Sequence, residues 1–219
     1  MNKILLLFFT IISLSCTSQK ESNYADKLSD CLTENDIIIL NEATSLFEKK
    51  LEEHYKRKNS NKNFKSYIED LGSIPPNYDF SPEFYSNDKT AEIIQEMKEN
   101  KTFQKIWTKY EEDNSGEEIA IVSLSGEMEE EPEQKELITY VLNPNGDYLK
   151  CLNSNYLNEP IKEVLNAQIK YGDLAPSIIA GAMNKKLKEE DFGNEMNKVV
   201  VAFALYYNMA NLLIDNPIK

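Results

Sequence analysis

Apolar side chains recur every three to four positions along most of this chain, the period that turns one stripe of an α-helix towards a core. The clearest run is Ile37, Leu40, Thr44, Phe47, Leu51 and Tyr55. Ahead of it, Thr33-Glu34-Asn35-Asp36 supplies a capping hydroxyl and an acid three residues on. The pattern predicts a helix from 34 to about 57, with Lys56-Arg57-Lys58 suited to the C-terminal pole of its dipole. Asn59 to Asn63 break the stripe, and Phe64, Tyr67, Ile68 and Leu71 then start a shorter helix that Gly72 stops. From Gly72 to Ser86, Pro75, Pro76 and Pro82 alternate with Tyr78, Phe80, Phe84 and Tyr85. That density of proline predicts an extended connector without regular structure.

Helical spacing resumes at Ile93, Ile94 and Met97, and again at Phe103, Ile106, Trp107 and Tyr110, with a break at Asn100-Lys101. Ser115-Gly116-Glu117-Glu118 has the form of a capping box before Ile119 and Val122. From there to 152 two patterns compete. Ile119 to Leu124 fits a strand, and Leu137 to Leu142, Asn143-Pro144-Asn145-Gly146 and Tyr148 to Leu152 fit a hairpin. The helical reading is preferred, because Pro132, Glu133 and Glu136 resemble a helix start and Leu137, Ile138 and Val141 share a helical face. Pro160 opens a helix through Ile161, Val164, Leu165 and Ile169, and Pro176 opens one of small residues that can pack closely on a neighbour. The last helix, from about Phe192 to Asp215, has no charge between Val199 and Ile214 and is apolar all round, as a central helix should be. The expected fold is mostly α, a single bundle-like domain of about eight helices. The alternative is α+β, with a small β-hairpin within 119–152.

The N-terminus has a different pattern: Lys3, then an apolar or near-neutral run from Ile4 to Leu14, then Ser15 and Cys16. A basic start, a short greasy run and small residues before a cut site make an export signal. As a helix the run reaches roughly 17 Å against roughly 30 Å of hydrocarbon, which suits a signal and not an anchor. Ser13-Leu14-Ser15-Cys16 resembles the lipobox of bacterial lipoproteins, with Ser13 where that family prefers leucine, as in the looser boxes of the Bacteroidetes group. The resemblance covers these 16 residues and implies that residues 1–15 are removed and that Cys16 is acylated through its sulfur. It implies anchoring to the outer membrane, on the periplasmic or the surface side. Cleavage by the ordinary signal peptidase, with Cys16 a free thiol, is the rival reading. Gln19-Lys20-Glu21 is similar to the Lys-plus-acid tether of some surface lipoproteins of that group. The expected organisation is a signal peptide (1–15), a flexible lipid-anchored tether (16–30) and one mostly helical domain (31–219).

Removing the first 15 residues, with their one lysine, leaves 204 residues and takes the net charge from −13 to −14. Such a chain repels phosphate backbones, so no nucleic-acid partner is expected and a cationic protein or peptide is favoured. Arg57 is the only arginine among 24 basic residues, which limits bidentate capture of phosphate or carboxylate to one place. Beyond Cys16, Cys31 and Cys151 form an even pair in an oxidising compartment, a candidate disulfide; two separate buried thiols are the alternative.

Sites for chemistry are scarce. His54 is the only histidine, which removes multi-histidine metal cages, and it reads as a surface or partly packed residue. Ser123-Leu124-Ser125-Gly126 lacks the first glycine of a nucleophile elbow, and no glycine-rich phosphate loop is present. Glu127, Glu129, Glu130, Glu131, Glu133 and Glu136 lack the spacing of a calcium loop and read as a solvated stretch. No catalytic, cofactor or metal residue is assigned. The candidate recognition surface is the aromatic and proline segment, through Tyr67, Tyr78, Phe80, Phe84 and Tyr85; the alternative is that these rings complete the core. The function expected is a non-enzymatic envelope binding module, one form of which is an inhibitor- or immunity-type partner, against an envelope hydrolase using a carboxylate pair.

Overall fold

The computed structural model describes residues 23–73, 80–110, 137–155, 157–171 and 174–217. Its fold is mostly helical, as the spacing predicts. A 3-10 turn, Asp26–Asp30, leads into α1, Glu34–Tyr55. The Thr33 hydroxyl accepts from the Asp36 amide while the Asp36 carboxylate accepts from the Thr33 amide, so the capping box closes and fixes where α1 starts. Lys56, left-handed at φ 52°, ends it. The fold begins earlier than the expected 16–30 tether allows, because Tyr24, Ala25 and Leu28 are buried and the Ala25 amide donates to Asn41 Oδ1 at 2.8 Å.

α2, Ser60–Gly72, starts within the stretch read as a break, since the Asn59 side chain caps it through the Lys62 amide. Pro82 opens the short α3, Pro82–Ser86, where an irregular connector is expected: proline's fixed φ is already right for a first helical turn. Asn87 then caps α4, Asp88–Glu99, and left-handed Lys101 sets off α5, Thr102–Ile106.

Two further expectations need correction. Trp107 does not continue a helix but begins β1, Trp107–Lys109, and Tyr140–Leu142 is not helical but forms β2. The strands pair antiparallel, Thr108 opposite Val141, and the ladder extends through Tyr110 N to Thr139 O (2.9 Å) and Asn143 N to Ile106 O (2.8 Å). The ribbon therefore pairs residues 33 positions apart in the sequence, Thr108 and Val141, and not the two arms of a tight turn. Tyr148 to Leu152 lie in α6, Asp147–Asn155, which the 143–146 turn starts. The capping box at 115–118, Ile119–Leu124 and the acid run from Glu127 to Glu136 lie outside the described residues.

α7, Glu159–Tyr171, and α8, Pro176–Lys186, follow. The slim face of α8 lies on α2 at the Gly181–Gly72 crossing, where a Cβ on Gly72 would sit 2.4 Å from the Gly181 nitrogen. The final helix is continuous from Glu195 to Asp215 and is composed of α9, Glu195–Val201, a π-helical turn, Ala202–Tyr206, and α10, Tyr207–Asp215. Every residue from Met196 to Tyr207 is buried, so this long apolar helix is the axis around which the others pack. Cys31, beside the first turn, and Cys151 in α6 form a disulfide, with Cα atoms 6.0 Å apart.

Candidate functional site

Phe47, Lys50, Leu51 and His54 fall at i, i+3, i+4 and i+7 on α1 and so share one face. Phe47 and Leu51 are fully buried, Lys50 is only 7% exposed, and His54 reaches solvent. Facing them is α3, whose start at Pro82 directs Phe84 and Tyr85 back towards α1 and the axial helix. Between α1 and the α3–α4 corner lies an open cleft of about 640 Å³. Lys50 and Phe84 form its inner wall, His54 flanks them, and the exposed carboxylates of Glu53, Glu83 and Asp88 stand at its rim.

Lys50 holds the wall together. Its Nζ donates to the Phe84 carbonyl at 2.6 Å and lies 5.5 Å and 5.6 Å from the ring centres of Phe84 and Tyr206. That carbonyl sits in a five-residue helix that ends before the amide four residues on, so it has no partner within the helix and takes external donors. The Tyr206 hydroxyl also donates to it (3.0 Å) and lies 2.8 Å from Thr90 Oγ1, which ties α3, α4 and the axial helix to one point. Burial pushes the Lys50 ammonium down to about 8, and Glu53 nearby opposes the shift. Burial raises the Tyr206 phenol well above its ordinary range, so it stays a donor.

The rings expected to form a recognition surface mostly do not face solvent. Tyr67, Phe80 and Tyr85 are buried: Tyr67 packs edge-on against Phe47 (4.9 Å) and Phe80 lies 5.4 Å from Tyr67. They complete the core, the alternative left open by the sequence. Phe84 alone of the set is half-buried and lines the cleft, and Tyr78 lies outside the described residues. Cys16 also lies outside them. The His54 ring lies 4.6 Å from that of Phe80, tilted by 34°.

Carboxylates elsewhere serve the fold. Asp36 is the one buried acid among the described residues, and it accepts from Thr102 Oγ1 (2.8 Å), Thr33 Oγ1 (2.6 Å), the Thr33 amide (2.9 Å) and Lys105 Nζ. Burial works to raise its carboxyl, but the Lys105 ammonium and the two threonines outweigh burial and hold it below the usual carboxylate value. Lys198, 5% exposed, sits between Glu48 (3.6 Å) and Glu195 (3.1 Å) under the Tyr24 and Phe64 rings. Among the described residues no group of three His, Cys, Asp or Glu side chains is placed to hold a metal ion.

Lys50 is not among the residues that the sequence pattern singles out. The available signal was a lysine inside an apolar stripe, three residues after Phe47 and adjacent to Leu51. Searches against protein-family models, curated proteins and solved structures return no match for this chain.

Proposed function

We propose that this protein is a cell-envelope lipoprotein, anchored to the outer membrane through Cys16, whose helical domain binds a cationic peptide or protein and catalyses no reaction. The observation that carries the binding half is the cleft itself: three exposed carboxylates, Glu53, Glu83 and Asp88, surround the half-buried Phe84 ring on a chain of net charge −13. Carboxylates at a rim steer a cationic partner and set its orientation, and an aromatic wall supplies contact area at little entropic cost. The lipid half rests on the lipobox-like Ser13-Leu14-Ser15-Cys16 after a greasy leader.

The test is capture of envelope proteins on the purified chain and on the triple variant Glu53→Gln, Glu83→Gln, Asp88→Asn. The expected result is one or more basic proteins retained by the parent and lost by the variant, with retention by the parent falling as salt rises. Equal retention by both would show that the cleft is not the binding surface.

A further inference from the structure

Among the described residues, Lys50 is a buried charge that no carboxylate touches. Its Nζ has three N–H donors and makes one hydrogen bond, to a neutral carbonyl, and no carboxylate lies within 4.0 Å of it among the described residues. The carboxylates that face it, Glu53 on its own helix and Glu83 and Asp88 from across the cleft, stay out at the solvent-exposed rim, and His54 and the buried Tyr206 phenol are further titratable neighbours among the described residues. Buried ammonium groups are ordinarily paired, because removing the charge from water costs several kcal/mol. Here Lys50, with no carboxylate partner among the described residues, lines a cleft large enough for one or two residues of peptide. Negative charge at the rim and positive charge within form a two-pole site: an anionic group fits inside and a cationic one fits outside.

We infer that the cleft takes the C-terminal carboxylate of a peptide that ends in a basic residue, with the carboxylate paired to Lys50 Nζ and the basic side chain lying between Glu53, Glu83 and Asp88. This rests on the cationic-partner reading above and adds a free chain end to it. A carboxylate on Lys50 forms a charge-assisted pair in a partly desolvated place, where such bonds are strongest. The hydroxyl of Ser81, which makes no cap to α3, lines the same cleft as a second donor. An internal lysine or arginine of a folded partner would satisfy the rim but leave Lys50 unpaired.

Four probes separate the two ideas: N-acetyl-glycyl-lysine as free acid and as carboxamide, and the norleucine counterparts of both, titrated calorimetrically into the purified chain. The free-acid lysine probe should bind best, its carboxamide about tenfold or more weaker, in keeping with loss of one charge-assisted pair. In Lys50→Met, which keeps the buried stem and removes the ammonium, acid and amide should bind alike; circular dichroism confirms the fold. A second reading needs no variant: saturating the parent with the free acid should raise the Lys50 ammonium midpoint, followed by NMR at its Cε and Nζ, above about 8. Acid and amide binding the parent equally, an acid preference surviving in Lys50→Met, or no measurable binding by any probe would each overturn the inference. If norleucine matches lysine while the acid preference holds, the carboxylate site stands and the cationic-partner reading falls.

Discussion

Asp36 and Lys50 are both buried charges, and their surroundings send their pH dependence in opposite directions. Asp36 has more partners than burial can offset, so its folded carboxyl titrates below the unfolded value of 3.8. The stability it contributes is fully present above that value and is lost as pH falls through the lower, folded one. Asp36→Ala removes a helix cap and the charge-assisted bonds together, and should cost about 2–4 kcal/mol, read from urea unfolding at pH 7. The deficit should shrink in strong acid, where the parent's carboxylate is itself protonated. Lys50 titrates at about 8 in the fold against 10.5 in the free side chain. Between those values the unfolded chain holds a proton that the folded one has released, so the stability of the parent relative to Lys50→Met should rise from pH 8 to pH 10.5. A flat difference across that window would mean that Lys50 is not desolvated in solution. The Asp36 cap was legible in the sequence because the Thr33–Asp36 spacing is local. Its bonds to Thr102 and Lys105, more than 60 residues away, depend on where α5 packs and leave no local trace.

Elements were legible where the reason for them is local and missed where it is distant. The apolar stripe and caps of α1, the proline starts of α7 and α8 and the all-round apolar axial helix need only neighbours in sequence. β1 was hidden because Phe103, Ile106, Trp107 and Tyr110 also satisfy helical spacing, and the strand forms only when Tyr140–Leu142 arrives to pair with it. Its partner across the ladder therefore decides the outcome, as is usual for short strands. The helix crossing of α2 and α8 shows the same division. The small residues of α8 announced close packing, whereas Gly72 read simply as a helix stop. In the structure Gly72 is the contact point, with Gly181 backbone atoms where its Cβ would be. Gly72→Ala should therefore force the helices apart and cost about 1–3 kcal/mol. Gly193→Ala is the control, since its Cβ would meet nothing closer than 3.8 Å and should leave the unfolding midpoint nearly unchanged. If the two alanine variants unfold at the same denaturant concentration, the crossing is looser than the structure has it.

At the scale of the whole molecule the cysteines set how the chain is cross-linked. Cys31 and Cys151 close a loop of 120 residues, and cross-linking so long a loop restricts the unfolded chain by up to about 4–5 kcal/mol on the chain-entropy model. Reduction, or Cys151→Ala, should lower the urea midpoint accordingly, and an unchanged midpoint would show that the bond does not form in solution. The remaining cysteine, Cys16, is the anchor in the lipoprotein reading proposed above. Tyr24 is buried in the domain, so a chain attached at Cys16 could place at most roughly 25–30 Å of backbone between lipid and domain. Screening at physiological salt acts over about 8 Å, and a domain of this charge gains nothing from anionic headgroups. Attachment should then depend on acyl chains alone. High-salt washing should leave the parent in the membrane fraction while detergent releases it, and Cys16→Ala should partition to the soluble envelope fraction at every salt concentration. Release of the parent by salt would mean that charge and not lipid holds it, and a Cys16→Ala chain that stays membrane-bound after salt would place the anchor elsewhere in the sequence.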